Sequence, residues 1–597
     1  MTMDYRSPVA DILFSLRFVA GFDKVAAEGL FGELDSETAA TVIQEAGRFA
    51  TRAIAPLDRV GDLKGASWNN GIVTMPPGFA DVFRDWAQAG WGGVTGSPEF
   101  GGMGLPHAIG AACTELWAGA SMSFSLCPLL SEGAINALNA FGGEELRRLY
   151  LGKLIKGEWT GTMNLTEPQA GSDLSAVKTR AERAGNGTYR IAGQKIFITF
   201  GEHDMTDNII HLVLARLPDA APGTRGLSLF LVPKFLVNDD GSLGARNDVR
   251  CASIEHKLGI HASPTCVMVY GDEGGATGWL VGEEGRGLAA MFVMMNSARL
   301  GVGMQGVASA DRALQRATAF ARERRQGRAA NGEPNSMAPI IEHPDVQRML
   351  LTMKALVHAS RGICHLTAIA IDLSLHAKSA DDRAQANERA ALLTPVAKAF
   401  SSDIGDEVAS LGVQIHGGMG YIEETGAAQD MRDARIAAIY EGANGVQAID
   451  LVQRKLPLSG GATVAREIAA MRAVAGEVAA HGGAEFGAEA LVLGRAIDAL
   501  ERATNAMREA LGKRPIDALA GATPYLRLFG LTLGGACLAK AGLAAQVLAR
   551  DGDSSQLGRV VLARFFAEKI LPAASGLEEA IAYGAGALGS WQSALAG

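Results

Sequence analysis

The sequence is poor in the residues that mark disulfide-rich or metal-binding proteins. Its 597 residues include only six cysteines, which are scattered and form no C-x-x-C pair. Scattered cysteines without metal-ligand spacing favour buried thiols in a reducing compartment over disulfides or a zinc centre. We therefore expect no metal site and a cytoplasmic location. The cysteines are Cys113, Cys127, Cys251, Cys266, Cys364 and Cys537.

Membrane-spanning runs and export signals are also lacking. Inspection finds no strongly apolar run long enough to span a bilayer, and residues 116–131 are too short. Gly, Ser and Gln dilute the uncharged tail of residues 580–597. The N-terminus carries Asp4 and Asp11 where a signal peptide would have a basic region followed by an apolar stretch. We expect no signal peptide and no membrane partner.

A surplus of basic charge is absent as well. The chain has 55 basic and 64 acidic residues, a formal net charge of -9. Nucleic-acid-binding proteins neutralise phosphates with clustered Lys and Arg, so nucleic acid is excluded as the expected partner. Hydrophobic residues make up 48% and charged residues 20%, as in an ordinary globular protein. The length exceeds one core and predicts about two to four domains.

What the sequence does contain is a pattern that changes along the chain. Helical spacing of apolar residues gives way to short β-type runs, then returns as long amphipathic segments. Among the β-type runs, GTYRIAGQKIFIT predicts a hairpin with its turn at Ala192-Gly193. The stretch LPLSGGATVA predicts a linker before a last, Ala-rich helical segment. The predicted domains are residues 1–158, an N-terminal extension and helical domain; 159–282, a β domain; 283–458, a helical bundle; and 466–597, an additional helical domain.

This order predicts an α+β protein that is mostly helical. It differs from the alternating βαβ pattern of a dinucleotide-binding domain, and the glycines of GRGLAAMFVMMNSARLGVGMQG follow no predicted strand. We predict an N-terminal helical domain, a central β domain, a C-terminal four-helix bundle and an extra C-terminal helical domain.

A lone carboxylate stands out in AAIYEGANGVQAI, residues 437–449. Glu441 is the only charged residue there, and the adjacent Gly442 lets backbone or ligand approach closely. A surface helix would place its acids among other charges. The short stretch alone leaves two interpretations open, a solvated loop acid and a buried base.

A second stretch, TMNLTEPQAGSDLSAVKTRA at residues 162–181, opens the predicted β domain. It clusters Thr166, Gly171 and Ser172 with backbone amides near glycine. Such a composition can bind phosphate oxygens or a carbonyl-rich ring, and it also suits an ordinary polar turn.

This stretch resembles the flavin-binding signature of the acyl-CoA dehydrogenase family. Further segments resemble the family in the same order: PEFGGMG, GQKIFITFG, EHKLGIHASPT, and QIHGGMGYIEE followed by MRDARIAAIYEG. The resemblance spans residues 35–458 or so. The long N-terminus and the extra C-terminal domain are similar to an extended bacterial subgroup that includes 3-(methylthio)propanoyl-CoA dehydrogenases.

The resemblance implies an FAD enzyme that oxidises an acyl-CoA thioester to the trans-2-enoyl-CoA and passes electrons to an electron-transfer flavoprotein. Glu441 occupies the position of the family's catalytic base; Ala298 stands where a few relatives carry an alternative glutamate. The resemblance also implies a homodimer, with a tetramer as the alternative. It implies flavin contacts from Met163, Leu165, Thr166, Gly171, Ser172, Phe197 and Thr199; contacts to a partner's flavin from Gln414, Gly417, Gly418 and Arg324; and substrate contacts from Ser172, Asn296, Arg299 and Gly442.

The chain also departs from the family pattern. ERRQGR lacks the family's Phe after Arg324, so Arg325 or Gln326 could take over its flavin contact. Ala443 replaces a common Thr after the base, and Asn444 is a candidate to supply the missing contact. His416 is expected to be a packed residue.

The acyl chain is open, with 3-(methylthio)propanoyl-CoA or another short or medium acyl-CoA as the expected substrate. Three alternatives share parts of the resemblance: an acyl-CoA oxidase, a DNA-associated flavin-binding relative and a desulfinase-like relative. Residues 461–597 carry equal numbers of basic and acidic residues, which argues against the DNA-associated alternative.

Overall fold

The computed structural model describes residues 5–330 and 336–596, apart from the side chain of Asn296. The chain divides into two compact units. One comprises residues 1–44 and 302–597, and the other comprises residues 45–301.

Helices account for most of the described chain. In chain order they are α1 (Val9–Phe14), α2 (Phe22–Ala27), α3 (Ser36–Phe49), α4 (Ala55–Lys64), α5 (Phe79–Gln88), α6 (His107–Ala120), α7 (Met122–Phe141), α8 (Glu144–Leu146), α9 (Gly152–Ile155), α10 (Gly287–Glu323), α11 (Pro344–His376), α12 (Ala380–His416), α13 (Ala427–Ala434), α14 (Asn444–Asp450), α15 (Ala462–His481), α16 (Glu489–Lys513), α17 (Pro515–Ala520), α18 (Ala522–Arg550), α19 (Gly558–Lys569), α20 (Ala573–Ala582) and α21 (Trp591–Leu595).

Strands lie within the unit of residues 45–301. They are β1 (Ser67–Asn69), β2 (Ile72–Thr74), β3 (Thr160–Asn164), β4 (Arg180–Arg183), β5 (Tyr189–Thr199), β6 (Ile209–Arg216), β7 (Leu227–Pro233), β8 (Phe235–Val237), β9 (Leu243–Arg246), β10 (Val249–Ile254), β11 (Thr265–Tyr270) and β12 (Ala276–Val281).

The main sheet runs in the order β10-β11-β5-β12-β7-β6-β3, and β4 pairs with β5 and β6. Every residue of β7 is buried, as is β6 up to Ala215. Burial on both faces explains why these strands appear in the sequence as continuous apolar runs. Strand β3, also fully buried, is parallel to β6 and leads into the TEPQAGSD segment.

The predicted hairpin in GTYRIAGQKIFIT is wrong. Residues 189–199 form one strand, β5, whose first part pairs with β4 and β12 and whose second part pairs with β11. The exchange of partners occurs at Ala192-Gly193. A Cβ on Gly193 would lie 2.6 Å from the Thr179 hydroxyl oxygen, so glycine is needed there for close packing. Glycine marks a change of partner in this strand, where the sequence suggested a turn.

The unit of residues 1–44 and 302–597 is helical. Helix α11 packs along α12, and α18 packs on α11. Glycines of α10 allow very close helix packing: a Cβ on Gly303 would lie 2.8 Å from the Ala397 carbonyl oxygen. Gly530 of α18 similarly makes room for the ring of Phe400 on α12. The additional C-terminal helices therefore pack directly on the bundle helices of the same unit.

The predicted fold class, α+β and mostly helical, is confirmed by these elements. All six cysteines are buried, and none forms a disulfide, as predicted. Helices α10 and α18 each contain a window long and apolar enough to cross a bilayer, which inspection of the sequence missed. These windows are 65% and 83% buried inside the protein, as is usual for core helices.

Candidate active site

The TEPQAGSD loop begins where β3 ends. Met163, in the strand, is buried in the core, whereas Thr166 is partly buried. Gly171 and Ser172 are exposed on the outer part of the loop. The loop therefore presents a hydroxyl group and glycine-flanked backbone at the surface, while the residues from which it starts are fixed in the sheet.

A buried ion pair anchors this loop. The Lys195 ammonium lies 2.9 Å from Glu167 Oε1 and donates to the Leu165 carbonyl at 2.9 Å. Glu167 also accepts hydrogen bonds from the Thr179 hydroxyl at 2.6 Å and from the backbone N–H groups of Thr179 and Lys178. Both charged side chains are almost completely buried, with exposures of 0% and 3%.

The environment sets the charge of this pair. Burial alone would raise the pKa of Glu167, but the Lys195 charge and the donated hydrogen bonds lower that pKa to about 2. Burial lowers the pKa of Lys195 to about 8, with Glu167 opposing the shift. At neutral pH both groups remain ionised, and the loop keeps its electrostatic anchor.

Phe197 projects from the neighbouring strand β5. Its side chain is 58% exposed, which is unusual for a large aromatic residue with buried Ile198 beside it. Its φ of 59° lies in the left-handed region, where a non-glycine residue is strained by about 1–3 kcal/mol. The backbone N–H of Ile196 donates to the Thr166 carbonyl at 2.9 Å, which ties this strand to the TEPQAGSD loop.

The structure therefore brings several predicted flavin residues together on one unit. Thr199, two residues beyond Phe197, accepts a hydrogen bond at its carbonyl from Thr162 at 2.7 Å. An exposed aromatic face beside hydroxyl groups and glycine-flanked amides suits a flat, carbonyl-rich ring. The residues present thus fit a flavin.

The predicted substrate residues of α10 have different environments. Arg299 is only 7% exposed, so it is a buried arginine and not a surface residue extending its charge into water. Ala298 is buried. Asn296 lies outside the residues whose side chains the structure describes.

Glu441 lies in the other unit, in the short loop before α14. Its φ is 52°, and the following Gly442 has a φ of 88°. A left-handed glutamate is unfavourable and persists only where its surroundings fix it. The side chain is partly buried. A freely solvated loop acid would have no need of this conformation.

Tyr440, the residue immediately before Glu441, is held in place by a hydrogen bond. Its hydroxyl group donates to Gln305 Oε1, and Gln305 is completely buried in α10. Burial, followed by the nearby carboxylate of Glu441, raises the pKa of Tyr440 far above its usual value. The Tyr440 hydroxyl therefore stays protonated and keeps its hydrogen bond.

Asn444, the candidate to replace the missing hydroxyl contact to a flavin, has its side chain engaged within its own chain. Its amide nitrogen donates to Asp403 at 2.6 Å, to the Ser402 hydroxyl at 3.0 Å and to the Ala399 carbonyl at 3.1 Å. Its carbonyl oxygen accepts from Lys398 at 2.8 Å. These groups all belong to α12, so the Asn444 side chain is engaged inside the bundle. Ala443 has no hydroxyl to offer.

Gln414, Gly417 and Gly418 lie where α12 ends and a 3-10 turn begins, and all three are exposed. The same turn exposes 87% of Tyr421. By contrast, His416 is buried, stacks on Phe320 with ring centroids 4.3 Å apart and bonds to the Gly412 carbonyl. The prediction that His416 is a packed residue is confirmed.

The segment after α10 separates the three candidates for the cross-subunit contact. Arg325 donates to the Met337 carbonyl at 2.9 Å, and the backbone of Gln326 bonds to Ala338 and His343. Arg324 is exposed and approaches Gln326 Oε1 at only 3.5 Å. Of the two arginine side chains, that of Arg324 is less engaged within the described residues than that of Arg325.

Sequence reasoning missed the residues that support these loops. Lys195 and Lys398 are both completely buried, and neither was singled out. Each interrupts an apolar pattern, in GQKIFIT and in LLTPVAKAF. A charged residue at a core position, which requires a specific partner, was the signal that could have found them.

Comparisons with protein families cover nearly the whole chain. Residues 36–158, 162–272 and 285–456 match the N-terminal, middle and C-terminal domains of acyl-CoA dehydrogenase, and residues 464–590 match an acetyl-CoA dehydrogenase C-terminal-like domain. The chain therefore belongs to the acyl-CoA dehydrogenase family. It is an oxidoreductase that acts on CH–CH groups of acyl-CoA thioesters.

Individual relatives refine this comparison. The 3-methylmercaptopropionyl-CoA dehydrogenase of Ruegeria pomeroyi is 47% identical over 95% of this chain and 96% of its own length. A butyryl-CoA dehydrogenase of Syntrophomonas wolfei is 34% identical over 88% of this chain and 87% of its own. A Bacillus anthracis acyl-CoA dehydrogenase complexed with FAD shares the fold, with a TM-score of 0.73 and 20% identity over 92% of this chain and 88% of that one.

Proposed function

We propose that the protein is an FAD-dependent dehydrogenase that introduces a trans α,β double bond into a short acyl-CoA, with 3-(methylthio)propanoyl-CoA as the preferred substrate. Glu441 removes the α-proton and hydride leaves the β-carbon, so that the two C–H electron pairs become the new C=C bond and the reduced acceptor. The observation that carries this role is the left-handed Glu441 in a loop held on both sides by hydrogen bonds to the buried side chains of Lys398 and Gln305.

The proton that Glu441 is proposed to remove is only weakly acidic. A proton α to a thioester is removed readily only if the carboxylate loses water on substrate binding and the developing enolate oxygen meets hydrogen-bond donors. Glu441 is partly buried by its own chain, so the fold itself supplies part of the required loss of water. Its backbone N–H, turned by the positive φ, is the proposed donor to the thioester oxygen.

The TEPQAGSD loop and β5 would hold the flavin. Met163, Leu165, Thr166, Gly171 and Ser172 supply backbone and hydroxyl groups, and Phe197 and Thr199 supply the neighbouring strand. Bound there, FAD supplies a two-electron acceptor for the hydride. The buried pair of Lys195 and Glu167 keeps these contacts in place.

Sequence similarity supports the choice of substrate. The chain is 47% identical to a 3-methylmercaptopropionyl-CoA dehydrogenase and 34% identical to a butyryl-CoA dehydrogenase, both over most of their lengths. We propose substrate contacts from Ser172, Asn296, Arg299 and Gly442. The 3-(methylthio)propanoyl chain is one atom longer than the butanoyl chain, and one extra or missing methylene-sized group changes the rate by about 10–200-fold in an apolar pocket.

The remaining partners are proposed on the same basis. We propose an electron-transfer flavoprotein as acceptor, a cytoplasmic location and a homodimer in which Gln414, Gly417, Gly418 and Arg324 contact the flavin of the neighbouring subunit. The exposure of these residues in a single chain is compatible with such a contact. The cross-subunit contact would be supported if the Arg324→Ala variant lost FAD more readily than the parent enzyme. Arg325→Ala is the matched control and should retain FAD.

A panel of CoA thioesters tests the substrate. Purified enzyme reacts with 3-(methylthio)propanoyl-, butanoyl- and octanoyl-CoA, with an artificial electron acceptor present and oxygen uptake recorded separately. The proposal expects the highest kcat/KM for the methylthio substrate and little oxygen uptake without the acceptor. A methylthio rate far below that of butanoyl-CoA would reject the substrate, and rapid oxygen uptake would indicate an oxidase.

A further inference from the structure

We propose that Lys398 is a positioning residue for the reaction: it fixes the loop that carries Glu441 and thereby sets the rate of proton removal. This inference rests on the proposed role of Glu441 as the base. It concerns a residue of α12 that lies outside the segments quoted above for the family resemblance.

The Lys398 ammonium donates hydrogen bonds to two acceptors that follow Glu441 in the chain. Its Nζ donates to the Gly442 carbonyl at 2.9 Å and to Asn444 Oδ1 at 2.8 Å. Gly442 immediately follows Glu441, and Asn444 begins α14. The lysine therefore connects the residue after the base to the start of the next helix.

Burial makes this arrangement specific. The Lys398 side chain is 0% exposed and ranks among the largest fully buried side chains of the described residues. An ammonium group deprived of water is strongly unfavourable unless it is paired and hydrogen-bonded. A buried leucine or methionine would fill the same space without this penalty, so the hydrogen bonds to the loop are the physical reason for a lysine here.

A chain of hydrogen bonds extends the support into α12. Lys398 bonds to the Asn444 carbonyl oxygen, and the Asn444 amide nitrogen bonds to Asp403 at 2.6 Å. The Asn444 side chain thus bridges the ammonium of Lys398 and the carboxylate of Asp403, which also interact electrostatically. Asn444 thus has a structural task in this chain.

The backbone of Glu441 explains why such support matters. Its φ of 52° and the φ of 88° at Gly442 form a left-handed pair. On the other side, Tyr440 is held by Gln305. Removing the support after the base would let the loop relax from its strained conformation and move the carboxylate, and a misplacement of about 1 Å can lower a rate 100-fold.

The test compares Lys398→Met with Lys398→Gln, which keeps a shorter hydrogen-bond donor. Lys540→Met is the matched control because Lys540 also donates to a main-chain carbonyl, that of Val19 at 2.8 Å. The expected result is a kcat for Lys398→Met lowered about 10–100-fold with KM changed less than about threefold. Lys398→Gln should lie between Lys398→Met and the parent, and Lys540→Met should match the parent.

A second readout isolates the base. Acetyl-CoA has α-hydrogens but no β-carbon, so proton exchange with D2O reports on the base without hydride transfer. NMR should show this exchange slowed about 10–100-fold in Lys398→Met, unchanged in Lys540→Met and lost in Glu441→Gln. Thermal melts and FAD absorbance establish that each variant is folded and loaded.

The outcomes separate this inference from the function on which it rests. If Glu441→Gln still exchanges and turns over at the parental rate, the role of Glu441 fails and the test of Lys398 fails with it. If Glu441→Gln is inactive but folded Lys398→Met and Lys398→Gln keep the parental exchange rate and kcat, the positioning role of Lys398 is overturned. Should Lys398→Met fail to fold, Lys398→Gln alone decides.

Discussion

Arg559 donates to Asp11 across 2.6 Å, although 548 residues separate them in the sequence. The guanidinium also lies 3.8 Å from the centre of the Phe14 ring. Burial opposes the charge of Asp11, but His358, Arg361 and Arg559 together lower the pKa of that carboxyl group well below its usual value. The N-terminal extension is therefore joined to the C-terminal helices within one unit.

Breaking this ion pair should destabilise the protein. The side chains of Arg559 and Asp11 are 11% and 32% exposed, so Arg559→Met leaves a largely buried carboxylate without its hydrogen-bonded arginine, with His358 and Arg361 still nearby. We expect a loss of about 2–3 kcal/mol in the free energy of unfolding, reduced from the fully buried range by the exposure of Asp11. Arg472→Met, in the exposed pair with Asp498, should change it by less than about 1 kcal/mol. Urea unfolding measures both, and equal effects would contradict the role of the pair.

Loss of the buried pair under the TEPQAGSD loop should weaken FAD binding. Lys195→Met removes the donor to Glu167 and to the Leu165 carbonyl. We expect FAD affinity to fall about 10–100-fold, by analogy with the loss of metal affinity when a residue that orients a metal ligand is removed. Lys178→Met is the control, since only the backbone N–H of Lys178 bonds to Glu167. Recovery of fluorescence from released FAD measures the affinity; equal retention in both variants would reject the prediction.

Replacing Phe197 should stabilise the apoprotein and weaken FAD binding. Asparagine adopts positive φ values more readily than phenylalanine, so Phe197→Asn relieves strain at a φ of 59° and removes an exposed ring. We expect the apoprotein to gain about 1 kcal/mol in stability while FAD binding weakens. Phe200→Asn has a similar φ of 51°, but its ring is buried, so that control should destabilise. Thermal melts without FAD test this, and a destabilised Phe197→Asn apoprotein would count against it.

Buried histidines should make the protein sensitive to mild acid. Burial lowers the pKa of His203, His211, His358 and His365 to about 3 each. In the unfolded chain a histidine takes up a proton below about pH 6.5, so the unfolded state binds more protons between pH 6.5 and 3. Stability is thus complete above this window and falls as the pH drops through it, by about 1.4 kcal/mol per histidine and pH unit.

One histidine can be tested separately. His365 is completely buried, with Nδ1 bonded to Ser15 at 2.9 Å, whereas His481 is exposed. Between pH 7.5 and 5.5, His365→Gln should lose about 1.4 kcal/mol less stability than the parent. His481→Gln should follow the parent. Unfolding curves at both pH values decide, and an unchanged pH dependence of His365→Gln would show that His365 is not a source of the acid sensitivity.

The sequence predicted the parts of the fold that depend on local patterns. The change from helical to β-type spacing and back gave the α+β class, and burial of β6 and β7 on both faces matches their unbroken apolar runs. It failed at Gly193, because a strand that exchanges partners has the same glycine and alternation as a hairpin turn. Partner choice depends on residues distant in the sequence, so a local pattern cannot reveal it.

The candidate site shows the same limit. The residues of recognisable motifs, such as Thr166, Phe197 and Glu441, were found from the sequence. The side chains that hold them, such as Lys195 and Lys398, bond to loops about 30 and 44 residues away along the chain. Asn444 illustrates the consequence: the missing hydroxyl at Ala443 suggested a flavin contact for it, and only the packing of α12 revealed that its amide is engaged with Asp403.

The most direct test is the rate at which the bound flavin loses its yellow colour in Glu441→Gln. The variant is purified with FAD, mixed anaerobically with 3-(methylthio)propanoyl-CoA or the best thioester of the panel, and followed by stopped flow. Removal of a general base typically lowers a rate by about 100–10,000-fold, and we expect a loss in this range with FAD and thioester still bound. Bleaching at the parental rate would contradict proton removal by Glu441.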